Sequence, residues 1–240
     1  MNNSTALVTG ANKGIGEHIA RQLAAAGLTV YVGSRDPERG RRVVEEIGGN
    51  ARLLILDVTD AKSIAEAARR IETLDVLVNN AGIGTELAPA SGTDLDSFRR
   101  TYETNVFGVV AVTNALLPAL RRSPGPRIVN VSSGTGSLGW SDGQRPEISG
   151  PAAAGSGAAY RSSKAALNAL TVFYAQELAA DGFKVNALAP GLRRTDLNPR
   201  AAASGGDPAE AAAGAVRLAL LPDDGPTGQF LSWDGATVPW

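Results

Sequence analysis

The sequence predicts one α/β domain, a doubly wound parallel sheet of about seven strands flanked by helices. Three observations predict it. Short apolar runs alternate with helical patterns from one end of the chain to the other. The first run feeds a glycine cluster that opens a helix, and no linker or internal repeat interrupts the 240 residues. That length fits a single large domain spanning residues 1–240, with loop segments at about 134–157 and 192–206.

Ala6-Leu7-Val8 forms the first run and ends in Thr9-Gly10-Ala11-Asn12-Lys13-Gly14-Ile15-Gly16. Ile19, Ala20, Leu23 and Ala24 follow at helical spacing and stop at Gly27, a residue suited to leaving a helix. In this Rossmann-type setting, glycines let the backbone approach a pyrophosphate, and the helix N-terminus favours its charge. Gly10, Asn12, Lys13, Gly14, Ile15 and Gly16 are therefore candidate cofactor-binding residues.

Residues 29–33 make the second strand, which ends in Ser34-Arg35-Asp36. An acidic residue at that strand end binds a free ribose 2′-hydroxyl, whereas a basic one accommodates a 2′-phosphate. A neutral Ser34 followed by Arg35, with Lys13 in the glycine loop, argues for NADP(H). The alternative is a solvated Arg35 with Asp36 on the ribose. Asp36-Pro37 reads instead as a helix N-cap with proline at the first helical position.

Leu53-Leu54-Ile55-Leu56 suits a strand buried on both faces and closes in Asp57-Val58. Asp60 can cap a helix through Ile71. Residues 75–78 are the fourth strand, running into Asn79-Asn80-Ala81-Gly82, where open α/β sheets bind ligands. One long helix is expected from about Asp94 to Leu120, carrying Asn105 as a functional or merely back-bonded residue. Residues 127–131 form the fifth strand, ending at Ser132-Ser133. The 134–157 segment, rich in Gly, Ser, Ala and Pro, is long for a loop without periodicity, and such loops carry function or mobility.

Tyr160 and Lys164 stand four apart at the start of the next helix, so they share a face. An ammonium beside a phenol favours the phenolate, giving a proton donor and acceptor usable near neutrality. The alternative is a packed tyrosine and a solvated lysine. A sixth strand over 184–189 leads to Pro190-Gly191 and the second loop. Asp207-Pro208-Ala209-Glu210 opens a last helix to about Leu220, and residues 229–231 make a final strand.

Composition excludes several chemistries. There is no cysteine, hence no disulfide, thiolate nucleophile or cysteine metal site, and one histidine, His18, in the first predicted helix. No metal centre is expected, and a Ser-His-Asp hydrolase lacks its histidine. A net charge of −1 offers no basic field for nucleic acid or anionic lipid. Met1-Asn2-Asn3-Ser4-Thr5 lacks the basic and apolar regions of a signal peptide. No apolar run approaches the ~20 residues of a membrane span. A cytoplasmic protein without nucleic-acid or membrane partners is expected.

Taken jointly, the chain resembles the short-chain dehydrogenase/reductase family over essentially its whole length. The glycine loop matches TGxxxGxG, residues 79–82 match NNAG and residues 160–164 match YxxxK, in family order and at compatible spacings. The stretches at 10–16, 190–197, 218–222 and 228–230 look like the monomeric carbonyl-reductase branch. The resemblance implies a tetrad of Asn105, Ser133, Tyr160 and Lys164. Tyr160 would exchange a proton with the substrate oxygen and Ser133 would hydrogen-bond that oxygen. Lys164 would bind the nicotinamide ribose and lower the phenol's pKa, and Asn105 would hold a water of the proton relay. Ser132 would be structural. Asp57 and Val58 would contact adenine, Asn79, Ala81 and Gly82 would flank the adenosine ribose and cofactor cleft, and Thr195, after Pro190 and Gly191, would contact the nicotinamide amide or a phosphate.

The spacing between Ser133 and Tyr160 departs from the family's compact oligomers. Oligomeric relatives pack the Asn105 and Tyr160 helices against a partner's, so an insertion there is expected to shield that surface and give a monomer. Trp140 and Ile148 are its large apolar anchors, with Trp140 a candidate for the substrate pocket or simply part of a solvent loop. The expected activity is NADPH-dependent reduction of a ketone or aldehyde. The alternatives are an NADP-dependent alcohol dehydrogenase running oxidatively and a non-catalytic NADP(H)-binding regulator.

Overall fold

A computed structural model describes residues 4–84, 88–141, 155–197, 201 and 205–240. The strands are β1 (Thr5–Val8), β2 (Thr29–Ser34), β3 (Ala51–Ile55), β4 (Val76–Asn79), β5 (Arg127–Val131), β6 (Lys184–Ala189) and β7 (Phe230–Ser232). They form one sheet in the order β3-β2-β1-β4-β5-β6-β7, every neighbouring pair parallel. The strand order reverses between β1 and β4, and ligands of such sheets bind outside the carboxyl ends at that switch.

The helices are α1 (Gly14–Ala25), α2 (Pro37–Ile47), α3 (Ala61–Arg69), α4 (Leu95–Tyr102), α5 (Gly108–Leu120), α6 (Ala158–Glu177) and α7 (Pro208–Ala219). Alternation along the buried strands sends successive side chains to opposite faces. Ala6 and Val8 join Ile19, Leu23, Val43, Ala215 and Leu218 in one core, under α1, α2 and α7. Leu7 joins Ile64, Leu77, Leu116, Leu120, Ile128 and Leu178 in the other, under α3, α5 and α6. Aspartates start the helices where the sequence puts them: Asp36 accepts from Glu38 and Arg39 amides, Asp60 from Lys62 and Ser63, and Asp207 from Ala209.

Two expectations need correcting. The helix predicted from Asp94 to Leu120 is not one α-helix: a π turn over Glu103–Phe107, closed by the Gly108 amide on the Glu103 carbonyl, separates α4 from α5. Asn105 sits in that turn, and π turns skip a rung of the ladder, often beside functional sites. By length and apolar content the continuous segment Leu95–Leu120 is also enough to cross a membrane, contrary to the sequence reading. Here it is a core helix, with Val112, Leu116 and Leu120 packed inside.

The shielding expected of residues 134–157 is not provided by the part that is described. Phe107, beside Asn105, is 55% exposed, and Phe173 of α6 is 60% exposed. Ile148 lies outside the described residues. Trp140 is half-buried against Ala187, Ala189, Phe230 and Val238. Its ring lies so close to Gly134 that a Cβ there would come within 2.8 Å of it. Trp140 thus packs at the back of the turn that carries Ser133.

Candidate active site

The carboxyl ends of β1, β4, β5 and β6 converge, and the candidate residues lie along them. On α6, Tyr160 and Lys164 face the end of β5. The Tyr160 hydroxyl is hydrogen-bonded to Ser133, and the Lys164 ammonium lies 5.8 Å from the Tyr160 ring centre. Lys164 is 4% exposed and its Nζ donates to the Val131 carbonyl at 2.8 Å. Ser133 Oγ also contacts Thr135 Oγ1 at 2.9 Å and accepts from the Thr135 amide at 3.2 Å. The serine hydroxyl is therefore held between the phenol and the turn over Gly134–Gly136.

The electrostatics differ from the sequence expectation. Burial pushes the Tyr160 phenol up from 10.0, with the Ser133 hydrogen bond opposing it, and the lysine charge is not among the causes. Burial pulls Lys164 down from 10.5 to about 8. Both groups are displaced toward their neutral forms, as desolvation requires. The protein alone does not turn Tyr160 into an easily ionised phenol; it keeps the proton on the oxygen.

Asn105 is fully buried, and its side chain is already engaged. Its Oδ1 accepts from the Ile83 amide at 2.9 Å, while Nδ2 donates to the Ile83 carbonyl and to Ser163 Oγ, both at 3.0 Å. This amide clamps the chain after β4 onto α6. With its side chain so engaged, a water relay at Asn105 would use its backbone. Ser132 is structural, as expected: its hydroxyl donates to Asn168 Oδ1 at 2.6 Å.

At the other end of the cleft, Gly10 and Gly14 have φ of +62° and +57°, open to glycine. A Cβ on Gly16 would meet Asn80 Nδ2 at 2.3 Å, and one on Gly10 would meet Ala81 Cα at 3.0 Å. Asn80 in turn donates to the Thr9 and Gly10 carbonyls at 2.9 and 3.2 Å, tying β4's end to the glycine loop. Thr9 Oγ1 accepts from the Asn80 and Ala81 amides. Helix α1, with Lys13 at its N-cap, lacks a side-chain cap, unlike α2, α3, α4 and α7, each capped by aspartate. Uncapped amides beside a glycine-rich loop fit a dinucleotide pyrophosphate. Gly10, Asn12, Gly14, Ile15 and Gly16 would hold it.

Ser34 is buried and bonded to the backbone of Asp36. The Asp36 carboxylate caps α2 and pairs with Arg39 at 3.3 Å, so its oxygens are engaged. Arg35 is exposed and makes no hydrogen bond or salt bridge among the described residues. Asp57 is oriented by Thr59, whose amide and hydroxyl donate to Oδ1 at 2.9 and 2.7 Å. Burial would raise its pKa, but those bonds and the Arg35 charge hold it below the usual range. Val58 follows it, its carbonyl 2.8 Å from where a Gly108 Cβ would stand.

Some of the other predicted residues are placed less simply. Asn79 Nδ2 donates to Thr113 Oγ1 and Asn130 Oδ1 in the buried layer between sheet and helices, so its amide nitrogen is engaged away from the cleft. Gly82 lies beside Asn105 and Lys164. Lys13 is paired with Asp196 at 2.9 Å, a partner not foreseen. Thr195 lies over the glycine loop, its Cγ2 3.4 Å from where a Gly14 Cβ would stand. Pro190 is buried, and Gly191 turns the chain with φ +71°.

Sequence reasoning missed four supports. Gly136 presses on α6 so closely that a Cβ would lie 2.7 Å from Lys164 Cβ. Asn168 bridges Ser132 and the Gly136 carbonyl. Asn80 was visible within its quartet but not singled out. Arg193 is 6% exposed and bonds the Pro190 carbonyl at 2.6 Å and Glu210 Oε2 at 2.5 Å, over the Trp233 ring at 4.2 Å. Nothing in a run of two arginines distinguishes the buried one.

The short chain dehydrogenase family model matches residues 4–145 and 148–204. The chain is 35% identical to (−)-isopiperitenone reductase of Mentha piperita, with 96% of each chain covered. It is also 35% identical to salutaridine reductase of Papaver bracteatum, covering 94% of this chain and 93% of that one. Among solved structures, NADPH-bound carbonyl reductase from chicken fatty liver superposes with a TM-score of 0.83 at 28% identity, covering 100% of both chains.

Proposed function

The chain belongs to the short-chain dehydrogenase family, and from that premise we propose that it reduces a ketone or aldehyde to an alcohol with NADPH. Tyr160 is the proposed proton donor. The observation that carries this reading is the contact of the Tyr160 hydroxyl with Ser133, next to a buried Lys164 on the same helix face.

The nicotinamide supplies the hydride when bound. The residues of the chain do the rest. Tyr160, kept protonated by burial, gives its proton to the oxygen that becomes the alcohol. Ser133 donates a hydrogen bond to that oxygen as charge develops on it. Lys164 has ammonium protons beyond the one on Val131 for a ribose hydroxyl. Asn105 holds the Ile83 backbone against α6 and so fixes the wall of the cleft. The same groups serve the oxidative direction, which substrate and cofactor ratios select.

The choice of NADPH rests on Arg35, exposed just beyond β2 and without a salt bridge among the described residues, with Asp36 engaged in capping. NADPH in a carbonyl-reductase relative of the same fold supports it. A panel of aldehydes, ketones and quinones, followed by loss of NADPH absorbance, tests the reaction. A kcat/KM preference for NADPH of about tenfold or more is expected, erased or reversed by Arg35→Asp. Equal values for both cofactors in the unmodified protein would refute the assignment.

A further inference from the structure

We propose that Asp196 tempers cofactor preference by competing with the 2′-phosphate of NADP(H) for Lys13, a role that rests on the NADP(H) reading above. Lys13 immediately precedes α1, and its Nζ reaches Asp196 Oδ2 at 2.9 Å, although the two residues lie 183 positions apart. The Asp196 carboxyl is held below the usual range by the hydrogen bond and charge of Lys13, and further by the charge of Arg39. Those two cations belong to the glycine loop and to the first turn of α2. These elements frame the end of β2, where the adenosine ribose is read. Asp196 therefore projects its charge into the gap that a 2′-phosphate would enter.

The backbone that carries Asp196 is fixed on both sides. Arg193 anchors it from below through Pro190, Glu210 and the Trp233 ring. The Arg194 amide and side chain bond the Gly206 and Gly205 carbonyls at 3.1 and 2.8 Å. Beyond Asp196, the Leu197 carbonyl stands 3.4 Å from where a Gly84 Cβ would be. The carboxylate is thus held at the cleft by design of the loop, even though its side chain is 76% exposed.

An ammonium in water cannot satisfy two anions on opposite sides at full strength. A phosphate near −2 held by Lys13 and Arg35 outcompetes an exposed carboxylate, but only at the cost of breaking the Lys13–Asp196 pair. A 2′-hydroxyl carries no charge and leaves the Lys13–Asp196 pair intact. Asp196 consequently disfavours NADP(H) relative to NAD(H), against the pull of Arg35. It acts as a specificity determinant without touching the reacting atoms.

The test measures dissociation constants for NADPH and NADH by calorimetry in the unmodified protein, Asp196→Asn, Lys13→Met and the double variant. Asp196→Asn is expected to tighten NADPH by about two- to fivefold, within the range of an exposed pair, while NADH stays within about twofold or weakens. The gain is expected to disappear in the Lys13→Met background and to shrink as salt is raised toward about 0.5 M. Equal weakening of both cofactors by Asp196→Asn would make Asp196 a strut and overturn the proposal. A gain that persists without Lys13 would be simple repulsion and would overturn the competition. Failure of the NADP(H) reading is a separate result: the unmodified protein would bind both cofactors alike, and Arg35→Asp would change neither.

Discussion

Lys164 and Arg193 are both cations withdrawn from water, at 4% and 6% exposure, yet their surroundings are opposite. Arg193 has a carboxylate, a carbonyl and an aromatic face. Lys164 has one carbonyl, and no carboxylate pairs with it among the described residues. A buried charge costs free energy unless it is paired and hydrogen-bonded. The region around Arg193 meets that condition and is built to hold a loop. The region around Lys164 does not, which is consistent with the proposed role of its cation toward a cofactor.

Substitution at Lys164 sharpens the contrast most. Lys164→Met is expected to lower kcat/KM by about a hundredfold or more, and Tyr160→Phe to lower kcat by about a thousandfold. The same Lys164→Met is expected to stabilise the fold. A pKa pulled from 10.5 to about 8 corresponds to about 3 kcal/mol of strain on the charged form at neutral pH. Part of the gain is lost because Val131 forfeits a donor. A rise in Tm of a few degrees, read by scanning calorimetry, is the expected outcome. A fall in Tm would mean that Lys164 is as well compensated as Arg193, and the comparison would collapse.

Arg193→Met should move stability the other way. Glu210 is half-exposed and can be rehydrated, but the Pro190 carbonyl and the Trp233 face lose their partner. A loss of about 1–3 kcal/mol is expected, and with it a lower Tm. Opposite signs for the same chemical change at two buried cations are the signature to look for. Arg193→Lys should recover only part of the loss, since one ammonium cannot reproduce a guanidinium fork and its stacking.

The sequence carried the fold because local signals agreed. Alternating strand faces, aspartate caps at Asp36, Asp60 and Asp207, and the glycine turn all point to one topology. That Tyr160 and Lys164 share a face follows from their spacing on one helix, whereas Ser133 was reached only through the family resemblance, and the structure sets all three near the end of β5. The supports were not legible. Gly136 matters because of a distance to α6, and Arg193 because of partners 3 and 17 residues away, which no spacing rule encodes. The π turn at Asn105 hid for the same reason, since a skipped rung leaves the apolar periodicity nearly unchanged. The effect of Lys164 on the phenol was misjudged because pairing was assumed to outweigh burial, and here burial dominates both groups.

The pH dependence of stability is the smallest of these effects and the most specific to Lys164. Its folded pKa, about 8, lies below the ordinary 10.5, so the unfolded chain binds the proton more tightly. Above about 10.5 the amine is neutral in both states and the penalty is gone; it grows as pH falls through that window and is complete below about 8. The stability advantage of Lys164→Met should therefore be constant from pH ~6 to ~7.5 and shrink by up to ~1.4 kcal/mol per pH unit through the window. Other groups titrate there as well, but they do so in both proteins and cancel in the difference. Urea unfolding of the two proteins at pH ~7 and ~9 reads that difference directly. An advantage unchanged at pH ~9 would assign the stabilisation to better packing of methionine and remove the charge from the account.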